Sequence, residues 1–290
     1  MNTEPMNTEP LISLIRKYGL SQHQAQILSS VEPAIYMGLE QARKGDVGQS
    51  RIGGTPDLPP SMGWPRSQYG GEYLCFILQI NFAQLPRFTD SPFPSQGMLY
   101  LFVGEGEDSA EQILLWQGDD SLQPDSLQPD SVQPLEQPSW EEMATDWYEG
   151  LVPHTLSFDL LPDIPRWATD DFYALCNNFD ISEEPLDDMA RELSRNYVGK
   201  LLGHVAGIGH DPRSAAYVVR EVNPQWLYDY EKRKTLDMRN AQRWCNLLSV
   251  NSSKAVDLWF GDAGYLQVLV HESDLPGMNL SRAYINLESS

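Results

Sequence analysis

Gly261-Asp262-Ala263-Gly264 combines residue types suited to an exposed loop site. An Asp tolerates unusual backbone angles, and its carboxylate can accept from nearby amide N–H groups. A purely structural hairpin turn is the plainer role for the same residues. Gly53 and Gly54 permit close backbone approach, and Trp64 offers a flat face, so the three could line a groove. A lid on the core is the plainer role for Trp64. Gln79 and Asn81 close an apolar run, and His204 follows Leu201-Leu202-Gly203, all positions at strand ends where sites are assembled. The ligand-binding candidates are therefore Gly53, Gly54, Trp64, Gln79, Asn81, His204, Gly261, Asp262 and Gly264. His204 and His210 lie six residues apart beside Asp211, but zinc needs three or four ligands in tighter pairs. They are read as structural, and no metal or cofactor is expected. The chain has no Gly-x-Ser-x-Gly elbow, no Gly-Lys-Ser/Thr phosphate loop and no His-Glu-x-x-His. No coherent catalytic set emerges, and the question of enzymatic activity stays open with a lean towards none.

These residues need elements to hold them. Leu11, Leu14 and Ile15 share a helical face, and a second helix is expected from Ser21 through Ile27, Leu28, Ile35 and Leu39, kinked near Pro33. Residues 48–65 are rich in Gly and Pro and cannot be helix. Tyr73 to Leu85 and Gly97 to Val103 read as buried strands, and the strand pattern returns at Leu156. Residues 182–199 read as an acidic amphipathic helix with Ser182 as its cap. Residues 1–10 are expected to be a flexible tail ahead of a single domain, 11–290.

Charge is distributed unevenly. Of 41 acidic residues against 20 basic ones, residues 88–195 hold 24 acids and 3 bases, whereas the flanks on either side are neutral. Within that stretch, residues 104–150 read as an acidic loop insertion, and the tandem DSLQP-DSLQP-DSVQP at 120–134 has a Pro in every unit. This balance argues against nucleic acid and anionic membrane as partners, since both require clustered basic side chains. It favours a basic protein partner. Three scattered cysteines, and an opening without a basic-then-apolar layout, fit a cytoplasmic protein.

Ile77 to Asn81 aligns with Leu247 to Asn251, and Gly97 to Val103 with Gly264 to Val270. Any two buried hairpins share such patterning, so duplication and coincidence weigh equally on the sequence alone. The blocks Arg51 to Pro56 with Leu58-Pro59 and Trp64-Pro65, Phe76 to Asn81 with Gly97 to Phe102, Leu201 to His204, and Trp259 to Gly264 with Leu266 occur in order. Together they resemble the YwqG-like family of mostly bacterial proteins of unknown function. Where that family usually has an acidic residue, this chain has Asn251. The resemblance implies an α+β fold with a largely antiparallel, internally duplicated β core about a pseudo-two-fold axis, N-terminal helices packed on it, and no assigned activity. Two functions are expected: a non-enzymatic interaction module with an acidic accessory surface, or a small-ligand binder or hydrolase with its cleft between the duplicated halves. Oligomeric state is not legible.

Overall fold

The computed structural model describes residues 6–41, 47–59, 62–67, 70–104, 113–117, 133–134, 138–139, 142 and 151–289. Most of the DSLQP tandem lies outside the described residues; its last Gln133–Pro134 forms a short strand.

Helix α1 (Glu9–Lys17) begins within the expected tail and buries Leu11 and Ile15. Helix α2 spans only Gln24–Ser29, and Glu32–Gln41 is strand β1 rather than a continuation of the helix. The helical reading of Ile35 and Leu39 overlooked a stronger period. Ile35, Met37 and Leu39 alternate with Tyr36 and Gly38, and Pro33 has no N–H to donate to a helix. Pro33 is opposite Pro162 in the strand pairing.

Strands β2 (Arg51–Ile52), β3 (Asp57–Leu58), β4 (Cys75–Asn81), β5 (Met98–Val103), β6 (Ile113–Gln117) and β7 (Gln133–Pro134) precede β8 (His154–Asp163). Then come α3 (Asp170–Phe179), α4 (Glu183–Ser194), β9 (Gly199–Leu202), α5 (Pro212–Tyr217), α6 (Tyr230–Arg233), β10 (Trp244–Asn251), β11 (Tyr265–His271) and β12 (Tyr284–Glu288). Helix α4 stops short of the expected end because Gly199 opens a strand, and its cap Ser182 makes no side-chain capping bond.

The fold is α+β, with a large antiparallel sheet in the order β12-β11-β10-β9-β1-β8-β2-β4-β5-β6. β6 lies within the expected 104–150 insertion yet extends this sheet beside β5. One apolar core takes side chains from both ends of the sheet: Leu78, Ile80, Leu99 and Leu101 on one side, Leu248, Val250, Leu266 and Val268 on the other. The sheet therefore curls so that its apolar face encloses the core, while α1 to α4 build a second cluster of their own.

The registers of the two hairpins correspond. In β4–β5, Leu78, Gln79 and Ile80 face Leu101, Tyr100 and Leu99; in β10–β11, Leu248, Ser249 and Val250 face Val268, Gln267 and Leu266. Each hairpin has one irregularity, at Ile77 and at Leu247, 170 positions apart. Such bulges occupy specific places in a ladder.

Gly264 enters β11 so close to β12 that a Cβ there would run into the Glu288 carbonyl oxygen. Gly264→Ala should destabilise the protein by about 1–3 kcal/mol in urea unfolding, the usual range for overpacking. Gly277→Ala, with nothing within 4 Å of the added methyl, should stay within about 0.5 kcal/mol of the parent.

Candidate functional site

Five of the nine expected site residues surround the segment that leads from β2 to β3. Gly53 and Gly54 have φ of 72° and 73°, the left-handed region, and a Cβ on Gly53 would sit 2.9 Å from that of Leu151. The Gln79 amide donates to Gln49 O at 2.7 Å and Asp57 Oδ2 at 2.9 Å, and its oxygen accepts from Asp57 N at 2.8 Å. Asn81 donates to Gly48 O at 2.8 Å and accepts from Ala83 N at 2.9 Å. Trp64 donates to Leu74 O at 2.7 Å and meets the Phe102 ring edge-on, the arrangement of a lid on the core. Gly261, Asp262 and Gly264 form the connection from β10 to β11, where Asp262 is exposed. His204 is buried elsewhere, with Nε2 2.8 Å from Ser30 O.

His204 borders a cluster that sequence reasoning missed. Asp163, at the end of β8, is fully buried, and its Oδ2 accepts from Lys200 Nζ and, at 2.9 Å, from His204 N. Its Oδ1 accepts from Tyr36 Oη at 2.6 Å and Arg166 Nη2 at 2.9 Å. Lys200 also donates to His204 O at 2.7 Å, and Arg166 to Ala190 O at 2.7 Å. One carboxylate thus ties β8, β1, β9 and α4 together. Burial alone would raise the Asp163 carboxyl, but the charges of Lys200 and Arg166 outweigh it and hold the group far below the usual carboxylate range. Burial pulls the Lys200 ammonium down to about 8 despite Asp163, with the like charge of Arg166 acting in the same direction. Gly203 has φ of 70°, and a Cβ on it would sit 2.6 Å from Asp163 Oδ2.

A signal for this cluster was present. Lys200 is a single charge inside the apolar run from Val198 to Leu202, and a lone Lys in a buried strand needs a counter-ion. Nothing in the chain pointed to Asp163 as that partner, since 37 positions and two helices separate them.

Beside the cluster opens a cleft of about 530 Å³, bounded by Phe88, Asp90, Leu202, Asn246, Glu272 and Leu275, with Glu32 at its rim. Its wall residues include three carboxylates and neither Lys nor Arg. Glu272 accepts from Arg243 Nε at 2.8 Å, whereas among the described residues Glu32 and Asp90 are in no ion pair. Asn246 is 1% exposed; its Nδ2 donates to Leu202 O at 2.7 Å, and its buried Oδ1 has no protein donor. Leu202 itself has φ of 61°, a strained conformation for a branched side chain, held by pairing with Ala34. Strain of this kind collects at functional sites. None of the nine expected site residues is in the wall of this cleft.

Among the described residues, no group of three or more His, Cys, Asp or Glu side chains is placed to hold a metal ion, and no helix is long and apolar enough to cross a membrane. Cys75 is buried in β4, and burial pushes its thiol up to about 12.

A model of the family described as Domain of unknown function (DUF1963) matches residues 50–288. The match begins after β1, a strand that the sheet places between β9 and β8. No curated protein matches the chain.

Replacing Asp163 by Asn would strand two buried cations, so Asp163→Asn should cost about 3–5 kcal/mol in urea unfolding at pH 7. Because the folded-state carboxyl is depressed, its stabilisation is complete above the unfolded value of about 3.9 and is lost as pH falls below it. The gap between parent and variant should therefore begin to close below about pH 4 and still be closing at about pH 2.

Proposed function

The chain belongs to this family of unknown function, and on that premise we propose that it is a non-enzymatic binding module whose acidic cleft receives a Lys or Arg side chain from a basic partner protein. The observation that carries this reading is the cleft wall: carboxylates of Glu32 and Asp90 without paired cations, and the buried acceptor Asn246 Oδ1. An ammonium or guanidinium group carries only donors, which complements a wall that offers acceptors and negative charge. Phe88 and Leu275 supply apolar surface for the aliphatic stem of such a side chain.

The reading includes an internal duplication. Its support is the matching hairpin registers, the bulges 170 positions apart, and a strand order in which β9-β10-β11-β12 and β2-β4-β5-β6 flank the central β1–β8 pair in mirrored sequence. Under it, the cleft lies between halves, since Phe88 and Asp90 follow β4 whereas Asn246 and Glu272 belong to β10 and the turn after β11. The motif blocks carried by Gly53, Gly54, Trp64 and Asp262 support placing the chain among YwqG-like proteins, and a cytoplasmic setting fits the scattered free cysteines.

A second reading locates partner binding in the acids of residues 104–150, where 13 carboxylates have no basic neighbour in sequence. Fluorescence anisotropy with a labelled octalysine peptide separates the two. Combined Glu32→Gln and Asp90→Asn should weaken binding roughly 5- to 30-fold at low salt, about 1 kcal/mol per charge, and raised salt should weaken the parent. Neutralising Asp119, Asp120, Asp125 and Asp130 should leave the affinity within about twofold. The opposite pattern would transfer binding to the acidic segment, and no saturable binding would overturn both.

A further inference from the structure

The curled sheet places hydrogen-bonding side chains on its outer face in one continuous row. Tyr36 of β1 pairs with Lys200 of β9, Lys200 with Ser249 of β10, Ser249 with Gln267 of β11, and Gln267 with Asn286 of β12. The residues on either side in each strand are apolar or glycine over most of this span and turn to the core, as strand alternation requires. A row of five polar residues across five adjacent strands, four of them buried, is costly unless each is satisfied. Gln267 is satisfied: it donates to Ala206 O at 2.7 Å and accepts from Ala206 N at 2.9 Å.

The row does not close completely. Between it and Arg166 remains a half-enclosed hollow of about 60 Å³, walled by Tyr36, Arg166, Lys200, Ser249, Asn251 and Tyr265, with Tyr197 and Ser194 also bordering it. A water needs about 10–15 Å³ of such space, so the hollow suits a few waters or one small polyatomic ion. Two buried donors in the wall, Arg166 Nε and Tyr265 Oη, have no protein partner. No wall residue is a carboxylate, in a chain with a formal net charge of −21. Asp163 lies behind the wall and pairs with both cations, Asp159 accepts from Tyr197 Oη at 3.1 Å, and Glu288 stands opposite Tyr265 in the strand pairing, so selection for an anion rests on the unpartnered donors.

We propose that this hollow is a binding site for a free small oxyanion, of the phosphate or sulfate class, held by Arg166, Lys200, Tyr265 and Ser249. An anion of this class presents only acceptors, and it would engage both orphaned donors at once. A cation would meet like charge, and a larger phosphorylated group would meet the rings of Tyr36 and Tyr197, packed 5.0 Å apart between centroids. The site is independent of the acidic cleft, whose wall shares no residue with it.

Isothermal titration of the full chain with inorganic phosphate and with sulfate, against chloride at matched ionic strength, tests the assignment. Saturable one-to-one binding is expected for the tetrahedral anions. Tyr265→Phe should weaken phosphate about five- to tenfold while leaving the thermal midpoint without phosphate unchanged or slightly raised, because it deletes a buried hydroxyl that has no partner. Ser249→Ala serves as a second variant and should weaken phosphate about three- to tenfold. Absence of saturable binding would overturn the proposal. So would unchanged affinity in both variants, or a lowered midpoint in Tyr265→Phe with affinity intact, which would mark the hydroxyl as structural only. A phosphoserine peptide that binds more tightly than inorganic phosphate would also overturn it, since the occupant would then be a macromolecule.

Discussion

The second half of the fold depends on a single buried negative charge. Asp163 ends β8 out of reach of bulk solvent, and an isolated carboxylate there would be prohibitively unfavourable. It persists because four donors from separate elements converge on it: the Tyr36 hydroxyl, the Arg166 guanidinium, the Lys200 ammonium and the His204 amide. Each of those contacts fixes a piece of geometry. Tyr36 and Lys200 pin β1 to β9, Arg166 anchors α4 through Ala190 O, and the His204 amide sets the turn that leaves β9. Gly203 is required at that turn because the carboxylate occupies the space where any Cβ would go.

The first half solves a comparable problem differently. Under the proposed duplication, Arg51 in β2 corresponds to Lys200 in β9: Lys200 pairs with β1 and β10, and Arg51 with β8 and β4. Its counter-ion, Asp57, comes from six residues further along the chain rather than from across the sheet. Asp57 is then enclosed by Gln79, the Gly48 amide and Arg51, and Tyr100 Oη donates to its backbone oxygen at 2.6 Å. A local partner gives a network drawn around one carboxylate, in which Arg51 Nε and Asp57 Oδ1 still have no hydrogen-bond partner. A distant partner, as for Lys200, leaves the side chains spread across the sheet and leaves space between them.

This difference also explains what the sequence disclosed. The hairpins were legible because their apolar alternation and bounding glycines are local signals, and Gln79 and Asn81 were noticed because they interrupt an apolar run. At β1 two local patterns compete, the helical spacing of Ile27, Leu28, Ile35 and Leu39 and the alternation of Ile35, Met37 and Leu39, and pairing with residues 154–163, far along the chain, decides for the strand. Asp163 was one carboxylate among 41, and no local feature separated it from the solvated ones. The turn at Asp262 drew attention through its composition, yet composition reports backbone geometry as readily as chemistry. Gly261 at φ of 55° and Gly264 against β12 are accounted for by the turn itself.

Acidity looks different once positions are known. The bulk of the excess falls in residues 88–195, but the charges with structural consequences are few and are dispersed along the chain. Asp57 and Asp163 are buried and neutralised by cations, so they contribute to folding and not to the outward field. Glu32 and Asp90 are 58 positions apart in the chain, yet they meet at one cleft without cations of their own. An unpaired carboxylate at a concave wall acts more strongly than one on a convex surface, because the low-dielectric walls confine its field. The total of −21 repels polyanions at a distance. At close range, the hollow presents Arg166, Lys200 and two unpartnered buried donors, the opposite character to the surface that carries the total.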